Sequence, residues 1–331
     1  MKVKQLVTWG GITLGALGVG IVGLAIKSLL PQRFLTDDWV EGKPGLPLDT
    51  TNCPEVEVSF LRCGSISIPE FVATRGAFTL APRVLVYSAV LIRHPQALFL
   101  YDTGLSADIY TYMVDQTLFF RKTLGNFQFE RSLGSHLEER GVERSDLDFA
   151  LLSHLHWDHV SGIPDIPGAL LRINRVEYEA AKLGLLDMGN GLVRRLMGDN
   201  PVEFFDCAGP TYEGFRSSLD LFGDGSIVLV PLPGHTAGNT GMFINRSNGP
   251  RLFLLGDAAW VSQNYLRPAT MHPFIWSRVT SDDATARQTL IDLHNYALRH
   301  PEIPLIAMHD AALQEQFMQS EQRLQAVGRG E

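Results

Sequence analysis

The sequence predicts a layered α/β domain. Short β-type runs crowd the first half, strands then alternate with helical stretches, and four of the later runs lead into a histidine or an aspartate. At 331 residues with 45% apolar character, the chain can bury a sizeable core. Lys plus Arg number 28 against 36 Asp plus Glu, a formal charge of −8, so a polyanion meets net repulsion and nucleic acid is not an expected partner. Three cysteines without a CxxC pair exclude a disulfide-dense scaffold and a thiolate zinc site. If a metal is bound, histidine and carboxylate must bind it.

The elements follow in chain order. Gln5 to Ile26 carries no charge, and the 21 positions from Leu6 to Ile26 would span about 31 Å as a helix, the thickness of a bilayer core. Residues 1–30 are expected to form an N-terminal transmembrane anchor, with residues 6–26 in the membrane. A cleaved signal peptide is the rival reading, since Met-Lys-Val-Lys makes a positive n-region. Lys2 and Lys4 before the span bias the N-terminus toward the cytoplasm, which places the globular part outside it. Cys53 and Cys63 can then pair or stay free; spacing alone leaves both open. Residues 31–50, with Pro31, Pro44, Pro47, Gly42 and Gly45, read as a linker to a domain over residues 51–331.

Strands are predicted at Val56 to Leu61, Arg83 to Ile92 and Ala97 to Tyr101, with Pro95 and Gln96 at a turn. A helical stretch from Ala107 to Glu139 leads to a buried strand at Asp148 to Ser153. Then come a run at Ala169 to Ile173, a helix near Val176 to Leu185, and strands at Ser226 to Leu232, Gly241 to Ile244 and Leu252 to Leu255. Asp282 to Arg299 is amphipathic with Ser281 or Asp282 as N-cap, and Ile303 to Met308 forms the last strand.

Residues 153–159 read Ser-His-Leu-His-Trp-Asp-His. Histidines at i and i+2 can converge on one ion from an extended or turning backbone, while Asp158 and His159 face a neighbouring position, so two ions can sit side by side. Without a cation, four such groups would repel or go unpaired.

This string resembles the H-x-H-x-D-H motif of the metallo-β-lactamase superfamily, and the rest of the sequence follows the same order. Pro233-Gly234-His235-Thr236, Gly256-Asp257-Ala258 and His309 each come just after a predicted strand, so the resemblance covers roughly residues 56 to 310. It implies a four-layer αββα sandwich. It further implies that His154, His156 and His235 bind one divalent ion, that Asp158, His159 and His309 bind a second, and that Asp257 bridges them, with zinc the expected metal. Asp102, in Tyr-Asp-Thr-Gly, matches the early aspartate that orients a ligand from behind. His94, His136, His272, His294 and His300 match no position and read as surface or core.

The chemistry implied is hydrolysis by a hydroxide held between the ions, with Asp158 as the catalytic proton carrier, on an ester, lactone, thioester or amide of a small-molecule substrate. An aspartate at 257 departs from true β-lactamases, and the 22 residues after His309 are too few for a glyoxalase-II-like substrate domain. The pattern is nearest the N-acyl-homoserine-lactone lactonase-like branch, with one departure: Trp260 stands where those lactonases place a tyrosine. Trp157 and Trp260 are candidate pocket walls, and Tyr265, Phe274 and Trp276 can join them or lie in the core. Three other readings stay open: a mononuclear iron persulfide-dioxygenase-like enzyme, a phosphodiesterase of the same fold, and a non-catalytic binding module. The sequence specifies no oligomer.

Overall fold

The computed structural model describes residues 30–32, 34, 49–123, 125–182 and 191–329. Its strands are β1 (Glu57–Pro69), β2 (Pro82–His94), β3 (Ala97–Thr103), β4 (Gln128–Phe129), β5 (Phe149–Leu152), β6 (Leu171–Asn174), β7 (Val202–Phe205), β8 (Leu219–Asp220), β9 (Ile227–Pro231), β10 (Thr240–Ile244), β11 (Leu252–Leu254) and β12 (Leu305–Ile306). They form one sheet ordered β4-β1-β2-β3-β5-β6-β7 and a second ordered β12-β11-β10-β9-β8.

The period of two in each strand builds the layers. In β2, Val90 and Ile92 enter a core shared by both sheets, whereas Ala89 and Leu91 face helices on the outside. Strand β10 divides likewise, with Met242 and Ile244 inward and Phe243 outward. Three apolar clusters therefore separate four layers: helices, sheet, sheet, helices. Both faces of each sheet are covered, which is why these strands read as continuous apolar runs.

Strand polarity decides where chemistry collects. Strands β3, β5, β6 and β7 run parallel, so the loops after β3 and β5 emerge at one edge. In the second sheet β11 is parallel to β12, and β9 and β11 are both antiparallel to β10, so the loops after β9, β11 and β12 also share an edge. The two edges are stitched together: the Thr240 amide donates to the Ser153 carbonyl at 2.9 Å, and the Tyr101 hydroxyl donates to the Thr240 carbonyl at 2.7 Å.

The expected elements appear at nearly their predicted positions, with differences. The stretch from Ala107 to Glu139 is three short helices (Ile109–Met113, Leu118–Lys122 and Leu133–Glu139) interrupted by β4, which pairs with Gly64 and Ser65 of β1. The helix Asp283–Arg299 is capped by Asp282, whose carboxylate accepts from the Thr285 amide at 3.0 Å. Cys53, Cys63 and Cys207 are all free thiols.

The transmembrane helix is corrected. Among the described residues no helix is long and apolar enough to cross a membrane. The expectation rested on apolar length, which says what a helix would span if it formed and not that it forms. Residues 6–26 lie outside the described residues, and the membrane attachment and the catalytic domain's placement beyond the cytoplasm fall with the helix. Part of the expected linker is described and touches the domain: Gln32 Oε1 accepts from the Thr270 hydroxyl at 2.7 Å.

Candidate metal centre

The loop after β5 turns into the helix Trp157–Val160, with His156 at its N-cap in an extended conformation. The strand end presents His154 and His156, and the first helical turn rotates Asp158 and His159 to a neighbouring direction. His235 comes from the loop after β9, Asp257 from the turn after β11, and His309 from the loop after β12. All seven converge, although they span residues 154 to 309 in sequence.

They fall into two groups. Ligating atoms of His154, His156, His235 and Asp257 lie within 4.8 Å of one another, as do those of Asp158, His159 and His309. Asp257 reaches both groups: Oδ2 is 3.4 Å from His235 Nε2, and Oδ1 is 3.2 Å from both His159 Nε2 and His309 Nε2. Asp158 Oδ2 lies 3.4 Å from His309 Nε2. Of the seven, only Asp158 is partly exposed; the others are buried.

Hydrogen bonds behind the centre fix the ring orientations. His159 Nδ1 donates to Asp102 Oδ2 at 2.7 Å, and His309 Nδ1 donates to the Val86 carbonyl at 2.8 Å. The Ser153 hydroxyl donates to Asp102 Oδ2 at 2.8 Å, so His154 Nδ1, 3.0 Å away, donates to the Ser153 oxygen. Each contact turns an Nε2 lone pair toward the centre. Asp102 is wholly buried and held at φ +56°, an uncommon conformation for a side-chain-bearing residue. It thus sits behind His154 and His159.

The donor set fits divalent cations. His154 Nε2, His159 Nε2 and Asp257 Oδ1 are buried without a hydrogen-bond partner, while His156 Nδ1 and His235 Nε2 lie 2.8 Å apart, where one ring nitrogen can donate to the other. Buried polar atoms left unpaired in a dry site are costly unless a cation satisfies them. Burial, reinforced by the neighbouring imidazoles, holds His154 and His156 well below the usual histidine range, and burial lowers His235 to about 4. All three are therefore neutral, the form that ligates. Burial also opposes charge on His159, but the Asp257, Asp102 and Asp158 carboxylates push it well above its ordinary value. Burial raises Asp158. At Asp257 burial acts the same way but is outweighed by His309 and His159, which hold the carboxyl well below its range.

A cavity of about 310 Å³ opens onto His156, Asp158, Asp257 and His309. Its walls are mainly apolar (Ile66, Ile68, Val72, Leu85, Ile275 and Val279), with Ser67, Lys122, Thr123 and Asn126 adding polar groups. Trp157 and Trp260 both line it. Trp157 is otherwise packed against Tyr87, Phe120 and Phe127, whereas Trp260 sends its indole N–H to Asp257. Tyr265 and Trp276 are core: the first donates to the Leu305 carbonyl and the second to Asp283.

Two residues unmarked in the sequence hold the ligand loops in place. Glu177, fully buried, accepts from the Leu155 amide through one oxygen and from the Gly238 amide through the other, both at 2.8 Å, which ties the His154–His159 loop to the His235 loop. Asn239 accepts from the Asp257 amide at 3.1 Å and donates to the Leu232 and Leu255 carbonyls. Glu177 reads as a surface acid on an amphipathic helix; only its burial marks it.

The pattern described as the metallo-beta-lactamase superfamily matches residues 82–288. The chain belongs to the metallo-beta-lactamase superfamily, and is a metal-dependent hydrolase of it. A superfamily relative, a probable metallo-hydrolase of Mycobacterium tuberculosis, is 27% identical over 282 residues, 78% of this chain and 82% of that one. The N-acyl homoserine lactonase AttM of Rhizobium radiobacter is 27% identical over 170 residues, 51% of this chain and 60% of that enzyme. The fold is shared with the solved structure of an N-acyl homoserine lactone hydrolase holding its product N-hexanoyl-L-homoserine at the catalytic metal center. That match has a TM-score of 0.61 at 17% identity and covers 79% of this chain and 96% of that one.

Proposed function

We propose that this chain is a dinuclear zinc hydrolase acting on a lactone or ester with an apolar acyl part. The observation that carries the reading is the Asp257 carboxylate, whose two oxygens reach two separate groups of imidazole and carboxylate donors beside a cavity. His154, His156 and His235 would hold one ion, Asp158, His159 and His309 the other, and Asp257 both; nitrogen and oxygen donors in this number suit zinc. Bound there, two divalent ions supply a water acidified to near neutrality and polarisation of the substrate carbonyl.

The chain's own residues do the rest. The apolar walls bind the acyl part and keep bulk water from it. Asp102 keeps His154 and His159 presenting Nε2. Asp158, the least buried donor, faces the cavity and is placed to take a proton and deliver it to the leaving oxygen, so a lactone opens to a hydroxy acid. The relatives named N-acyl homoserine lactonases support a lactone among the substrates.

The test is a panel of lactones, esters, thioesters and phosphodiesters with wild type and Asp158→Ala. Hydrolysis of a lactone or ester by wild type, lost in the folded variant, is the expected outcome. Equal turnover by both would refute the role of Asp158, and activity confined to phosphodiesters would overturn the substrate class.

A further inference from the structure

The Trp260 indole does more than line the cavity. Its Nε1–H donates to Asp257 Oδ2 at 2.9 Å, the carboxylate on which both donor groups converge. Oδ2 also lies 3.2 Å from His309 Nε2 and 3.4 Å from His235 Nε2. An indole N–H can only donate and cannot ligate a metal, so toward Asp257 it acts as a hydrogen-bond donor alone. The indole is itself fixed: the Trp260 amide donates to Asn264 Oδ1 at 3.1 Å, the ring meets His309 edge-on at 5.6 Å, and the residue is 7% exposed.

Building on the dinuclear reading, we infer that Trp260 is a positioning residue for the bridging carboxylate, holding Asp257 in the orientation that serves both ions and reporting their binding through its fluorescence. A carboxylate has four lone-pair directions, and two oxygens facing two cations leave one direction on Oδ2 for the indole. Removing such a partner behind a ligand weakens metal binding by about 10- to 100-fold.

The experiment compares wild type, Trp260→Phe and a control, Trp276→Phe, whose indole bonds Asp283 away from the centre. Zinc affinity is measured by competition with a chromophoric chelator, and tryptophan emission is followed as zinc is added. The expected result is about 10-fold or more weaker binding in Trp260→Phe, loss of most of the emission change there, and wild-type behaviour in Trp276→Phe. Turnover of Trp260→Phe should rise as zinc is added, because mass action offsets the weaker metal binding. Equal zinc affinity in Trp260→Phe and wild type would overturn the inference, as would a raised KM with unchanged affinity, the mark of a mere pocket wall. Failure of wild type itself to bind zinc would instead defeat the dinuclear reading. If Trp260→Phe does not fold, 5-fluorotryptophan-labelled wild type decides by ¹⁹F resonance. A Trp260 signal that shifts on zinc addition supports the clamp, and an unmoved one refutes it.

Discussion

The first sheet delivers four donors from one turn, His154, His156, Asp158 and His159, whereas the second assembles three, His235, Asp257 and His309, from three separate loops. The first set is positioned almost wholly by local geometry, a strand end running into the first turn of a helix. The second has no such local frame. It depends on braces: Asn239 under the Asp257 turn, Glu177 across to the first loop, Trp260 on the carboxylate, and a backbone path at Gly234 that no other residue fits. A contiguous motif carries its own geometry, and a dispersed one borrows it from the packing around it.

Substitutions can break that contrast, and the largest effect belongs to the contiguous set. Asp158→Ala should lower kcat by about 10²- to 10⁴-fold without changing the far-ultraviolet spectrum, because proton delivery is lost while the helix remains. Next is Gly234→Ala. Gly234 sits at φ +121° and a Cβ there would lie 2.2 Å from the Ala286 amide nitrogen, so about 3 kcal/mol or more of stability should go, read from denaturant midpoints. Stability within 0.5 kcal/mol or so of wild type would show that the dispersed set does not need this path.

Glu177→Ala leaves the Leu155 and Gly238 amides without their acceptor, and zinc affinity should fall by about 10- to 100-fold, with Glu177→Gln intermediate because one oxygen remains. Unchanged affinity in Glu177→Ala would mean that the two loops hold their spacing unaided. The smallest effect is on pH. His235 stays neutral in the folded metal-free protein down to about pH 4, while an unfolded histidine takes up its proton near pH 6.5. The unfolded state then binds more protons, so this residue's contribution is whole above about pH 6.5 and falls away toward pH 4. Urea melts at pH 7 and pH 5 should show that loss, and a His235→Asn variant should show less of it.

The same contrast governs what the sequence reveals. The string at 154–159 is legible because ligand spacing is a local property, and the runs before His235, Asp257 and His309 are legible because buried strands are continuous apolar segments. Glu177 and Asn239 are not, since each acts through backbone amides and carbonyls that any sequence possesses. The sequence marks Trp260 as a candidate cavity wall but not as a donor to Asp257, because the direction of an indole N–H is set by tertiary packing. Strands β4 and β8 have two residues each, too short for any period to register. The apolar run at 6–26 shows the opposite hazard, since composition alone pointed to a membrane helix that the described fold does not contain.

Metal content measured together with lactone turnover decides whether this is a dinuclear zinc hydrolase. Such an enzyme holds two zinc ions per chain, loses lactone or ester hydrolysis when a chelator removes them, and regains it on adding zinc. A single iron per chain, or hydrolysis that persists in the metal-free protein, would contradict that reading.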